Sequence, residues 1–366
     1  MFLQHFRIFS ILFLYCCICP FIVKKVKTDF IVHQSCYQIL NILTQYITFA
    51  IVTYLCAHYG FFVTKEFKED WDVIKTSGFV IHAVPIIVVQ INLFVVIITA
   101  RQHAMIFQKI DCLEKDLLKL CDIPVKFDGL CRQTWLEIII AISYTNILLF
   151  VKLRAVYSDS IYIIFFNFCL GIVDLEYIMS MCHFSFLIRG LQSFLKSIRI
   201  TLEDKKEILT SLEYIRFFRN LKYCLNQYVS IKTMINKTFG TIFSIDIIYD
   251  FFVLTFTIYL YLRITDTCNT MCITLESFII GGKLIKMFYF TEQIEKFYRE
   301  LEELQQVVVR TSTESSAAIL QTFLHSNNKK YFTAAGFFDI NYGLVYQFLT
   351  TCFTYMVILF QFESAG

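Results

Sequence analysis

Residues 341–362 read NYGLVYQFLTTCFTYMVILFQF, twenty-two positions without a charged side chain. At 1.5 Å per residue, a helix of that length covers about 33 Å, close to the hydrocarbon thickness of a bilayer. Asp339 precedes the run and Glu363 follows it. At 3.6 residues per turn, Gln347, Thr350, Thr354, Val357 and Gln361 share one row, while Leu344, Leu349, Phe353, Ile358 and Phe360 occupy other faces. A narrow neutral polar stripe on an apolar helix has two uses. It can hydrogen-bond a neighbouring helix, or it can line a water-filled pore. Period alone favours the first.

Outward from this helix, composition gives the same class. The 366 residues are 57% hydrophobic and 17% charged, with a mean hydropathy of +0.60. A soluble domain carries about 25% charged residues. Three prolines and eleven glycines leave room for long helices. Six further segments reach the roughly 20 apolar residues a span needs: 36–63, 76–99, 135–157, 160–188, 239–262 and 267–290. The segment at 267–290 is the most polar, carrying Asn269, Thr270, Thr274, Glu276 and Ser277. Ile8 to Val23 is apolar but lacks a small-x-small cleavage site and is interrupted by Pro20, so it is expected to be retained, on the membrane surface or packed within it. The fold class expected is all-α integral membrane with seven transmembrane helices.

Lys and Arg set the orientation. With the amino terminus inside, the inner segments 1–35, 100–134, 189–238 and 283–340 hold 4, 6, 10 and 7 of them. The outer segments 64–75 and 152–159, the Arg263 turn and the tail hold 3, 2, 1 and 0. A ratio of 27 to 6 predicts a cytoplasmic amino terminus and an extracellular carboxyl terminus. That is inverted relative to a G-protein-coupled receptor, and it disfavours the competing reading of a seven-span metabotropic receptor. The outer loops are short, and the long inner ones look helical. The chain divides into a cytoplasmic segment (1–35), six spans (36–290), a cytosolic helical region (291–340) and the last helix with its tail (341–366). The sequon Asn236-Lys237-Thr238 falls on the inner side, where it is unused.

Within the inner region, Ile294, Phe297, Leu301, Leu304 and Val308 are spaced 3, 4, 3 and 4, with Glu and Lys on the other faces. This is a heptad seam. It either packs within its own subunit or joins two subunits, and spacing does not choose.

Catalytic constellations are sparse. There is no Walker loop, HExxH, GxSxG or dinucleotide fingerprint. The seven histidines and fourteen cysteines show no metal-ligand spacing, so no cofactor and no metal is expected. A basic stripe with interleaved aromatics is missing, which argues against nucleic acid. Asp174, Glu176, Asp246, Asp250 and Glu276 fall inside spans. Each charge near a helix centre costs about 3 kcal/mol on insertion scales, so these acids face the bundle interior or a wet cavity. They pair internally or line a ligand cavity, or Asp174, Glu176, Asp246 and Asp250 serve a secondary transporter or intramembrane enzyme. No inverted repeat with broken helices supports the transporter. The outer halves of spans two to six carry His82, Asn146, Tyr157, Tyr162, Asn167, Asp250, Thr257, Tyr261, Asn269, Thr274 and Glu276. Aromatics with a few hydrogen-bonding groups suit a small-molecule pocket, and equally suit interfacial anchors and interhelical contacts.

Thr354-Tyr355, five hydrophobic residues and then Gln361-Phe362 near the carboxyl end resemble the signature of insect gustatory receptors. The approach Phe332-Thr333-Ala334-Ala335-Gly336-Phe337-Phe338-Asp339-Ile340 is similar to that family as well. Upstream the likeness is one of architecture. The resemblance implies a ligand-gated, nonselective cation channel of the plasma membrane, related to insect odorant receptors. It implies a tetramer with itself or other gustatory receptor subunits, with a pore where four last helices meet. It places Gln361 and Phe362 at the outer constriction, with Val357, Thr354, Thr350 and Gln347 deeper along the pore. It implies a tastant cavity in the outward half of each subunit and a cytosolic anchor region, which favours the interface reading of the Ile294–Val308 seam. The shortness of the chain points to bitter or contact cues rather than sugars.

Overall fold

The computed structural model describes residues 1–16, 19–26, 29–33, 39–40, 42–48, 50–51, 73–155, 161–205, 211–264, 270–311 and 332–365. Seven helices carry the architecture: α1 (Phe2–Tyr15), α2 (Val73–Cys121), α3 (Leu130–Ala155), α4 (Ile161–Lys205), α5 (Ser211–Ile264), α6 (Thr270–Thr311) and α7 (Tyr342–Ala365). Two antiparallel hairpins accompany them: β1 (Ile22–Val26) with β2 (Asp29–His33), and β3 (Thr333–Ala334) with β4 (Phe338–Asp339). Most of the expected first span lies outside the described residues. Its helical part packs Ile42 against Val89, Leu93 and Val96 of α2 and Ile242 of α5. The helices α2 to α7 are spans two to seven.

Helix length organises the molecule. α3 and α7 have 26 and 24 residues, about one bilayer thickness. α2, α4, α5 and α6 have 49, 45, 54 and 42 residues, or roughly 60 to 80 Å. Each continues well beyond the hydrocarbon as one unbroken helix, so the long inner loops of the sequence are largely extensions of the spans. The expected division at 290/291 falls inside α6. Among the described residues, the stretches Val84–Cys121, Leu130–Lys152, Ile215–Tyr259 and Tyr342–Phe362 are long and apolar enough to cross a membrane.

The core sits where the long helices converge, and it is largely phenylalanine. α1 supplies Phe2, Phe6, Phe9 and Phe13, a 4, 3, 4 stripe with no exposed surface. Phe6 lies 4.2 Å from Phe107 of α2 and 5.2 Å from Phe186 of α4, ring centre to ring centre. Gly190 makes room for this docking, because a methyl group there would collide with the Phe2 ring. The Glu114 carboxylate accepts the Phe2 N–H at 2.9 Å and places negative charge at the α1 amino end, where the helix dipole favours it. The amino-terminal apolar segment is therefore a helix of residues 2–15 packed in the core, not the 8–23 stretch that hydropathy suggests. His103 and His183 are buried in the same aromatic cluster, their rings 6.1 Å apart.

The β3–β4 hairpin leads into α7. The Ala334–Phe338 pairing leaves a three-residue connection, in which Ala335 and Gly336 both have positive φ, 50° and 84°, and Phe337 N–H donates to Ala334 O at 2.9 Å. Asn236 of α5 holds the hairpin from both ends of its amide. Its Nδ2 donates to Thr333 Oγ1 at 3.1 Å, and its Oδ1 accepts from Thr333 N at 2.8 Å. One turn on, the hairpin backbone crosses Gly240 so closely that a Cβ there would lie 2.9 Å from Thr333 O. The side chain of the sequon is thus committed to a structural contact. Asn341 caps α7, its Oδ1 accepting from Leu344 N at 2.9 Å.

Packing of α1 makes a direct prediction. Phe6→Ala removes a fully buried ring and should cost about 3–5 kcal/mol. Ile8→Ala, at a position 57% exposed, should stay within about 0.5 kcal/mol. Thermal unfolding of the detergent-solubilised protein separates the two. Equal midpoints would place α1 outside the core.

Candidate functional site

The last helix has two unlike sides. Leu344, Val345, Phe348 and Cys352 are buried. Phe348 and Cys352 pack with Leu254 and Phe251 of α5 and with Ile280, Leu284 and Met287 of α6. Further out, Phe360 meets the buried Tyr259 ring at 5.2 Å. Gln347, Thr350, Thr354, Val357, Gln361 and Phe362 lie on exposed surface. The hydroxyls of Thr350 and Thr354 donate to the carbonyls of Tyr346 and Thr350, both at 2.9 Å, within their own helix. The row is thus not a packing face within this chain.

Two of the acids inside the spans, Asp250 and Asp174, are held by cations. Asp250 Oδ1 faces Lys283 Nζ at 2.9 Å, and Oδ2 pairs with Lys286. Lys283 also lies 4.2 Å from the centre of the Tyr249 ring. Asp246 accepts from Asn92 Nδ2 at 3.0 Å. Asp174 pairs with Lys152 at 2.8 Å. Glu137 takes both Arg189 and the Tyr289 hydroxyl. These bonds tie α5 to α6, α5 to α2, α3 to α4, and α3 to α6. Glu176 is buried and Glu276 half-buried. Sequence reading named Asp174, Asp246 and Asp250 but neither Glu137 nor these partners. Lys283, Lys286 and Arg189 stand in its inner count and Lys152 in its outer count, yet all four are in pairs with little exposed surface. Without them the ratio is 24 to 5, so the orientation expectation keeps its basis. The missed signal is a cation inside an apolar span, since a residue too costly to leave alone in lipid implies a partner.

A cavity of about 750 Å³ lies between α3, α4 and α6. Glu137, Ile140 and Tyr144 come from α3, and Asp174, Ile178, Met181 and Ser185 from α4. Thr274, Ser277, Phe278, Gly281, Lys283, Lys286 and Tyr289 come from α6. Adjacent glycines shape its wall in opposite ways. A Cβ on Gly282 would strike the Tyr144 ring, whose hydroxyl donates to Phe278 O at 3.3 Å. A Cβ on Gly281 would meet nothing within 4 Å, because that side faces the cavity.

The sequence-expected pocket residues are only partly gathered here. Thr274 is in the wall, and Asp250 stands behind it, gripping Lys283 and Lys286. Asn146 is on an exposed face of α3 and donates to Ile142 O at 2.8 Å. Thr257 is buried, and Tyr261 and Glu276 are half-buried; none of the three is among the cavity's described lining residues. The side chains of His82, Tyr157, Tyr162, Asn167 and Asn269 lie outside the described residues. Tyr144, Gly281, Tyr289 and Glu137 are wall residues that periodicity did not find.

The heptad seam requires a correction. Ile294, Phe297, Leu301, Leu304 and Val308 are buried inside the chain's own core, at 0 to 4% exposure. Phe297 stacks on Tyr228 of α5 at 6.5 Å and meets Phe332 at 5.4 Å. On the flank, Arg199 of α4 bonds Glu300 at 2.8 Å and Glu303 at 3.3 Å. The Glu300 hydrogen bond holds the Arg199 guanidinium above its ordinary range. The seam is filled by α4, α5 and the hairpin, so it is not available to a second subunit. A 3.5-residue repeat reports a buried stripe, not whose helix buries it.

A model of the 7tm chemosensory receptor family matches residues 3–366. Two solved structures of the insect olfactory receptor OR5 from Machilis hrabei, one in complex with eugenol, superimpose at a TM-score of 0.71. Each covers 98% of this chain and 99% of its own at 12% identity, so the fold is shared across essentially the full length. No curated protein matches the sequence.

The buried pairs give a prediction of their own. Lys152→Met leaves Asp174 without its cation and should destabilise by about 3 kcal/mol or more. Lys152→Met combined with Asp174→Leu should recover most of the loss, since breaking a buried pair costs more than replacing it. The check is thermal unfolding of the three proteins. A double variant no better than the single would mean that the pair is not the tether.

Proposed function

The chain belongs to the 7tm chemosensory receptor family, and on that premise we propose that it is a gustatory receptor subunit, a ligand-gated nonselective cation channel of the plasma membrane that detects small tastants, of the bitter or contact-cue kind. One observation carries the reading. α6 faces the 750 Å³ cavity through Thr274, Ser277 and Gly281, and it packs on α7 through Ile280, Leu284 and Met287. A molecule in the cavity therefore acts on a helix that touches the last helix directly. The olfactory receptor whose structure holds eugenol has the same fold, which is in keeping with a small-molecule ligand.

In this mechanism four copies, or this chain with other subunits of its family, place their α7 helices around one axis. The exposed row from Gln347 to Gln361 then faces the ion path, with Phe362 at its outer end. A tastant that binds the open arrangement better than the closed one shifts the population by that difference and no more. The row carries amides and hydroxyls but no acid, so discrimination among cations is weak. Asp174, Asp246 and Asp250 serve as tethers, and the chain is assigned no catalytic role.

Recording from cells that express the chain with and without co-subunits, against bitter compounds and sugars, tests the proposal. Gln361→Leu should change unit conductance or gating with surface expression intact. Phe362→Ala should raise the agonist-free current. Currents unaltered by both substitutions would remove α7 from the pore.

A further inference from the structure

The shape of the cavity speaks to its ligand. Its α6 wall runs from Ile273 to Phe290. Seventeen helical steps are about 25 Å. A compact space of 750 Å³ would be only about 11 Å across, so this one is a slot along the helix. Its surface is predominantly apolar. Its lips are open. Ile140 of α3 is 58% exposed and Ile285 of α6 is 72% exposed, yet both line the slot, as do the exposed Phe278 and Tyr289. In a membrane-spanning chain, the outward side of α3 and α6 borders lipid. Each charge in the wall already faces an opposite one: Glu137 pairs with Arg189 and Asp174 with Lys152, while Lys283 and Lys286 share Asp250, with Asp246 acting on both from further off. A charged ligand would add an unmatched ion to a poorly solvated space, which costs several kcal/mol. A neutral one with a single hydroxyl or carbonyl adds none.

We propose that this slot binds a neutral single-chain amphiphile, a long-chain alcohol, aldehyde or ester, that enters sideways from the bilayer between α3 and α6. The proposal rests on the reading of the cavity as the receptor's ligand site and names the class of ligand. Each methylene buried contributes about 0.8 kcal/mol, so affinity should rise about three- to fourfold per carbon until the slot is full. Gly281 sits midway along the wall and faces open space, so a large side chain there divides the slot without displacing its neighbours.

The test is photolabelling of the full chain in lipid nanodiscs by a diazirine-bearing long-chain alcohol, with peptides mapped by mass spectrometry. Labelling is expected on the α3 and α6 segments around Ile140 and Ile285. Competition by a series of saturated alcohols should strengthen with length, while the matching carboxylates, at a pH where they are charged, should compete at least about tenfold less well. Gly281→Phe should abolish the advantage of long chains over short ones. Gly281→Ala, a milder change in open space, should shorten the preferred chain. The proposal is overturned if compact ring compounds compete as well as long chains, if length has no effect, or if the label falls elsewhere. Binding is read here without current. Chains that bind but open no channel leave the ligand class standing and defeat the channel reading. Compact tastants that open a channel sensitive to Gly281→Phe, in a protein that binds no chains, do the reverse.

Discussion

Asp250 is the point on which the membrane half of the molecule turns. It lies on α5, nearly enclosed, and both of its oxygens are engaged by lysines one turn apart on α6. A helix that carries two ammonium groups into a poorly solvated bundle is stable only where the carboxylate is. That requirement sets the depth and rotation of α6 against α5. The consequences appear on both sides of the helix. Gly281 and Ser277 are turned to the cavity, and Ile280 and Leu284 are turned to α7. One ion cluster thus fixes the cavity wall and the seat of the last helix together.

The two ends of the bundle are built differently. Where α1 docks against the long helices, rings pack on rings: Phe2, Phe6, Phe107, Phe184, Phe186 and Phe239 are all buried. Cavities in such packing are expensive. Around the slot, by contrast, helices are tied by a few charged contacts and separated by empty space. The open space lies in this half, and the aromatic half is filled. The β3–β4 hairpin links them, since Asn236 and Gly240 fix it to α5 just before α7 begins.

Much of this was legible in the sequence, for reasons that are local. The uncharged run 341–362 and the polar row on α7 follow from one helix read along its own axis, whereas the Phe2–Phe13 stripe was hidden behind the apolar run 8–23. Pairings between helices were not legible. Nothing in the spacing joins Asp250 to Lys283, or Lys152 to Asp174, and only the cost of an unpaired charge signals that partners exist. The seam from Ile294 to Val308 was visible as a stripe, but its burial by α4 and α5 depends on tertiary contacts. The cavity was missed for a related reason: much of its wall is Ile, Met, Phe and Gly, which carry no mark of a pocket until three helices meet. Polar residues such as Asn146 drew attention instead, although its amide is satisfied within its own helix.

The central claim is that the row on α7 faces water in the assembled receptor while its neighbours face protein or lipid. Substituted-cysteine accessibility addresses it directly. Cysteines are placed singly at Thr354, Val357 and Gln361, and at Leu349 and Ile358 for comparison. A charged, membrane-impermeant thiol reagent is then applied during agonist exposure. The account predicts rapid modification with altered current at the first three positions, faster with agonist than without, and none at the other two. Modification at Leu349 and Ile358, or an inert row, would contradict it.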